Sequence, residues 1–316
     1  MLRLGCVCRA WNAVPVPRQK ITDLERLRAA AEVWDDDAPD IGYLAQLLTQ
    51  TNLPYKDPGD VAVWSRHNGD VHLLVEPGRR VAADGTYQPI YPYGIMPRLL
   101  LIWMSSQAVK TRSPTLVLGA SLSEFMRDIG LKPTGGKSGS ITRLRDQMER
   151  LLKARLTLEV RQGTQRDRAV QISVALKWDL FWGRGDRQDA LLPSTIQLSA
   201  DFFNEIVAHP VPLNMGALAA LRGSPMRLDI YAWLTWRMSY LRRPTLIPWD
   251  ALMVQFGSNL ADTKQGRQQF RRDFSNHLRE VVLVYRDANV EATDTGLALR
   301  PSRTHIPFRG MRSVDG

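Results

Sequence analysis

One order of local signals occurs twice along the chain, and similar text marks the same point of each pass. Arg112-Ser113-Pro114-Thr115-Leu116 is echoed by Arg242-Arg243-Pro244-Thr245-Leu246. Each proline follows an apolar run and precedes a short β-type run, so each pentapeptide reads as a helix stop leading into a strand. In the first pass Pro97 suits the first turn of a buried helix over Leu99–Lys110, and Thr115–Leu118 is the short strand. Ser121 with Glu124 forms a capping box that opens a helix over Leu122–Ile129, and Gly130 stops it. A glycine-rich turn, Pro133–Gly139, leads to Ser140, the expected cap of a long helix to about Ala154. Arg155–Arg161 and Arg168–Trp178 then alternate as two strands.

The second pass repeats this. Ser224-Pro225 opens a helix to about Leu241, Thr245–Ile247 is a short strand, and Trp249–Phe256 is a short helix stopped by Gly257. A long helix runs from about Lys264 to Glu280, and Val281–Tyr285, Asn289–Ala292 and Leu297–Arg300 supply β material. Helix, strand, helix, helix and hairpin is the order of a winged helix. The expected fold is therefore α+β with two tandem winged-helix domains. Residues 1–40 read as a partly ordered N-terminal extension, 41–190 as the first domain with a preceding hairpin region, 191–303 as the second, and 304–316 as a tail. Within the hairpin region, Asn68-Gly69 between Val63-Trp64 and Val71–Val75 signals a two-residue turn.

Charge narrows the partner. Against 32 Asp and Glu stand 42 Lys and Arg, a net +10 over 316 residues, which points to a polyanion and to nucleic acid before membrane. Cys6 and Cys8 are the two cysteines; they cannot form a disulfide framework or a closed zinc site, and they fit a reducing cytoplasm. No apolar run of signal-peptide length precedes Cys6, and the longest apolar stretch, Leu99–Met104, is far short of a membrane span.

The two long helices differ in what they present. In the first, Ile141, Leu144, Met148, Leu151 and Leu152 share a face opposite Arg143, Asp146, Gln147 and Arg150. In the second, Phe270, Phe274, Leu278 and Val281 form the apolar stripe, opposite Gln265, Gln268, Arg272, Asn276 and Arg279. Arginine pairs bidentately with guanine N7 and O6, and Gln or Asn with adenine N6 and N7. These five residues of the second helix, with Arg143 and Gln147 of the first, are the expected base readers. Lys137, Arg145, Arg150, Lys153, Arg161, Arg166, Arg168, Lys264 and Arg271 are the expected backbone contacts, which position without reading sequence. Tyr231, Trp233, Trp236 and Tyr240 could stack unpaired bases, but their spacing is that of a core.

Enzyme motifs are missing or broken. Gly135-Gly136-Lys137-Ser138 ends like a P-loop, yet Leu131 stands where that loop needs its first glycine, and a helix rather than a strand precedes it. A flexible turn touching a DNA phosphate is the alternative. His67, His72, His209, His277 and His305 form no His-x-His pair, and His277 falls on an apolar face. No catalytic site, metal site or cofactor is expected.

The stretches Gln50–Asp60, Tyr93–Leu100, Ser121–Leu131, Pro133–Met148 and Ser224–Pro244 together resemble the plasmid-encoded RepA replication initiators of Gram-negative bacteria. The resemblance implies a non-enzymatic protein that binds direct repeats of double-stranded DNA at a plasmid origin and helps open the duplex. It also implies recruitment of host replication factors such as an initiator, helicase or sliding clamp, and a possible homodimer. A winged-helix transcriptional repressor is the alternative of the same chemistry. A nucleotide-dependent or nicking replication enzyme is the alternative of another class.

Overall fold

The computed structural model describes residues 23–119, 122–136, 138–162, 166–180, 194–257 and 260–307. It is an α+β molecule, with ten helices and fourteen short strands among the described residues. The elements in chain order begin with α1 (Asp23–Trp34), β1 (Ile41–Ala45), α2 (Gln46–Gln50), β2 (Trp64–Asn68), β3 (Val71–Glu76), β4 (Gly78–Val81) and β5 (Tyr87–Ile90). The first pass follows as α3 (Ile95–Thr111), β6 (Thr115–Val117), α4 (Leu122–Asp128), α5 (Ser140–Lys153), β7 (Arg155–Gln162), β8 (Arg166–Ser173), β9 (Ala175–Asp179) and β10 (Thr195–Leu198). After α6 (Ala200–Ala208), β11 (Pro210–Asn214) and α7 (Met215–Leu221) comes the second pass: α8 (Pro225–Tyr240), β12 (Thr245–Pro248), α9 (Trp249–Phe256), α10 (Lys264–Val284), β13 (Val290–Ala292) and β14 (Gly296–Leu299).

The pentapeptide echo falls at equivalent places. Thr115 and Thr245 each open a strand, β6 and β12, that edges a three-stranded antiparallel sheet. The orders are β6-β10-β9 and β12-β14-β13, so in each sheet the last strand in sequence lies in the middle. The expected hairpin of the first pass is corrected here. Arg155–Arg161 and most of Arg168–Trp178 are β7 and β8, which join β2 and β3 in a separate four-stranded sheet. Only after a bend at Val174 does the chain enter the three-stranded sheet as β9. Its central strand β10 was expected at the start of the second domain, so the boundary near residue 190 cuts through a sheet of the first.

Other expectations shift by short distances. Val281–Tyr285 was read as strand material, but α10 continues to Val284, with Val281 and Val284 buried. Ser140 is the first residue of α5 and not its cap, which is Gly139. The Asn68-Gly69 turn joins β2 to β3 as expected, with Gly69 at φ +55°. Gly130 likewise ends α4 at φ +73°, a left-handed conformation that suits glycine. Ser121 lies outside the described residues.

Residues 23–45 are not a loose extension of the first half. Helix α1 packs on α10 and α7, with Arg26 2.6 Å from Glu280 and the Trp34 indole donating to the Leu283 carbonyl. Strand β1 pairs antiparallel with β11, Ile41 opposite Asn214. One buried apolar core runs through both halves and takes in most of α3 and α8. Tyr231 and Trp233 are buried in α8, confirming their packing role, while Tyr240 is exposed beside Arg237. The carboxy-terminal segment is tied down through His305, which shares a 2.8 Å hydrogen bond with the Tyr231 hydroxyl and stacks on Tyr285.

Candidate nucleic-acid interface

Helix α10 starts where Thr263 accepts a side-chain hydrogen bond from the Gly266 amide at 3.1 Å. Position 266 requires glycine because a Cβ there would collide with the Ala261 carbonyl. Phe270, Phe274, Leu278 and Val281 anchor one face, with Phe274 packed among Phe256, Trp249 and Phe270. That anchoring turns Gln265, Gln268, Arg272, Asn276 and Arg279 outward, and all five are exposed. At 100° per residue they lie within an arc of about 80°.

Acids near this helix are directed away from the stripe. Glu280 contacts Arg26 and Arg227, Asp273 accepts from Gln269, and Asp262 and Asp250 flank Arg267. Within the stripe, Arg279 donates to Asn276, and Arg272 donates to the neighbouring Gln269. Lys264 is exposed at the helix start. Arg271 does something other than the expected backbone contact: its guanidinium lies over Trp249 and donates to the Thr293 and Asp294 carbonyls and the Asp294 carboxylate, bracing the β13–β14 turn. His277 is partly buried, and desolvation lowers its pKa, in keeping with a packed role.

Helix α5 is arranged differently. Gln147, expected to read bases, is only 6% exposed, and its side-chain oxygen accepts the Tyr93 amide at 2.9 Å. Arg150, expected at the backbone, has a side chain 13% exposed; it is held by Asp146, Asp57 and the Tyr91 carbonyl and lies over the Tyr93 ring. The β4–β5 hairpin covers the rest of that face. Arg80 reaches Asp146 at 2.8 Å and Glu149 at 2.6 Å; burial pushes the Glu149 carboxyl up, but hydrogen bonds from Arg80 and Lys153 outweigh it and hold it below its usual range. Lys153 pairs with Glu149 at 2.7 Å, and the backbone of Gly78 packs against it. Arg145 is half-buried and partnered. Thr142 and Arg143, near the start of α5, remain exposed.

The turn before α5 is a knot, not a loose phosphate cradle. Ser140 donates its hydroxyl to the Lys132 carbonyl and accepts the Thr134 amide, while the Ser140 and Ile141 amides donate to Thr134 oxygens. The first two helix amides are therefore occupied. A Cβ at Gly139 would collide with the carbonyls of Thr134 and Gly135. Lys137 lies outside the described residues, as do the side chains of Arg161, Arg166 and Arg168, whose backbones run in β7 and β8. Among the described residues, no group of three or more His, Cys, Asp or Glu could hold a metal ion, and no helix is long and apolar enough to cross a membrane.

A second cluster, absent from the sequence expectations, lies where the halves meet. Arg98 of α3 donates two 2.7 Å hydrogen bonds to the two carboxylate oxygens of Asp229 of α8. It also donates to the carbonyls of Leu53, Pro54 and Gly94, and lies over the Tyr55 ring. Burial pushes the Asp229 carboxyl up, while Arg98 pulls it down. Alongside, Asn52 donates to the Gln255 carbonyl of α9 at 3.1 Å, and the Gln255 side chain donates to the Gln50 carbonyl at 3.0 Å.

No curated protein matches the chain. Two crystal structures of RctB domains 2 and 3 are similar at 12% identity. One covers 74% of this chain and 82% of its own length at a TM-score of 0.44; the other covers 83% and 97% at 0.46. Likeness at that level carries no functional weight. The model of the plasmid-encoded RepA protein family matches residues 91–251, from just after β5 to the start of α9. That span holds α5, both central helices and the Arg98–Asp229 pair, and it is more than half of the sequence: the chain is a member of the plasmid-encoded RepA family of replication initiators.

Proposed function

We propose that the protein initiates plasmid replication by binding direct repeats of double-stranded DNA at an origin, as a non-enzymatic tandem winged-helix protein. The elements α3, β6, α4, α5, β9 and β10 form the first winged helix, with β7–β8 as an inserted hairpin. The elements α8, β12, α9, α10, β13 and β14 form the second. The observation that carries this reading is the acid-free exposed stripe of α10, five arginine and amide side chains on one ridge. A helix of this width enters the major groove, where each good bidentate pair discriminates by about 1–3 kcal/mol. The first half touches the duplex through Arg143 at the start of α5, expected among the base readers but taken here, with Gln147 buried, as a backbone contact. Binding opens the origin and recruits host replication factors, and a homodimer is the second assembly state.

Footprinting on a plasmid origin with Arg272→Ala and Arg279→Ala tests the assignment. The wild-type protein protects repeats, and each variant loses preference for the repeat over random duplex. Unchanged preference in both variants removes α10 as the reader. A wild-type protein that represses a promoter but cannot sustain an origin fragment in a host would make it a regulator.

A further inference from the structure

We infer that the buried polar cluster between the halves sets the DNA spacing the protein accepts: Arg98, Asp229, Asn52 and Gln255 are positioning residues for α10. The inference rests on the binding mode proposed above and names the specificity of that same interface. The cluster joins four parts of the fold at one point. Arg98 comes from α3, the helix that leads to α5 through β6 and α4; Asp229 comes from α8, the helix that leads to α10 through β12 and α9. Asn52 holds α9 itself, through the Gln255 carbonyl, just ahead of the turn into α10. Leu53 and Pro54, next to Asn52, supply carbonyls to Arg98.

The chemistry suits a ruler better than a stabiliser. Removing two charges from water costs about as much as their attraction returns, and apolar residues of similar volume often replace such a pair without loss of stability. What apolar packing does not supply is direction. A bidentate guanidinium–carboxylate pair with three further carbonyl acceptors admits one orientation of α3 on α8, whereas leucine and methionine admit several. Tilting α8 on α3 swings α10 relative to Arg143, and the two contacts then meet the duplex at a different separation and phase. Because DNA turns once in about 10–10.5 base pairs, even a small change in separation moves the second contact around the helix.

The test compares duplexes in which one, two or five base pairs are inserted between the segment whose protection depends on Arg143 and the segment whose protection depends on Arg272 and Arg279. The wild-type protein is expected to lose affinity by at least about tenfold at two insertions, the loss when one of two linked contacts is given up. In the double variant Arg98→Met/Asp229→Leu, folded by circular dichroism and with α10 footprinting intact, the profile flattens to within about threefold across the same series. Asn52→Leu flattens it in part and serves where the double variant does not fold. A folded variant with an unchanged profile overturns the inference, and so does a wild-type profile that is flat. Failure of the wild-type protein to bind duplex DNA overturns the underlying binding mode instead, so the two failures are distinct.

Discussion

Helices α5 and α10 hold the same place in two matching element orders, yet one is covered and the other is open. Both bury an apolar stripe and both begin next to a glycine that no larger residue could replace. The difference lies in what arrives from elsewhere. On α5, the β4–β5 hairpin and the Tyr91–Tyr93 segment occupy the outward face, and Arg80 satisfies the two carboxylates there. On α10, neighbouring contacts stay at the sides, where α1 takes Glu280 and the β13–β14 turn takes Arg271. Two helices at the same place in matching orders thus differ in access: one is covered by a hairpin, and the other leaves its outward stripe bare to solvent.

The contrast has consequences of graded size. The largest concerns the cores. Phe274→Ala should cost about 3–5 kcal/mol, and Leu144→Ala about 2–5 kcal/mol, in urea or thermal denaturation. Because one core runs through both halves, each variant should melt in a single transition. Two separated transitions would break the picture of halves that stand or fall together.

Acid should lower the stability of the whole fold through His305. His305 is held neutral by burial, its pKa lowered to about 4. An unfolded histidine titrates near 6.5, so the stability gained by keeping it neutral is present above about 6.5 and lost as pH falls toward the folded value. His305→Gln should flatten stability against pH over that window in denaturation midpoints. An unchanged slope would mean that Tyr231 and Tyr285 do not enforce the neutral ring.

The smallest effect separates free from engaged cations in the first half. Arg143→Ala should weaken all duplex binding and lower the slope of log affinity against log salt by about one. Lys153→Ala should leave that slope unchanged, since Glu149 already holds the ammonium group. Equal effects from the two would show that the hairpin does not shield α5.

What could be read from the sequence follows the range of the forces involved. Helix positions and the α10 stripe were legible because a period of 3.6 residues needs only local information, and the outward face of α10 meets nothing distant. The covering of α5 was not, because Arg80 and Tyr93 lie more than 50 residues before the side chains they meet. An arginine pair, Arg79-Arg80, just ahead of the Asp84-Gly85 turn was the available hint. Strands β7 and β8 were recognisable by alternation, but alternation names no partner, and β3 claimed them. Arg98 and Asp229 carried a fainter signal, opposite charges set within the largely buried stretches of two helices. The stretches around Tyr55, Arg98 and Asp229 that carry the family resemblance converge on that pair.

The amide exchange between Gln255 and the Gln50–Asn52 segment spans 205 residues of sequence. During synthesis at about 5–20 residues per second, the early segment therefore waits some 10 to 40 s for its partner to leave the ribosome. Arg98 likewise waits for the Asp229 carboxylate, 131 residues further on, and β1 waits for β11, so the nascent amino-terminal part carries an unmated polar surface.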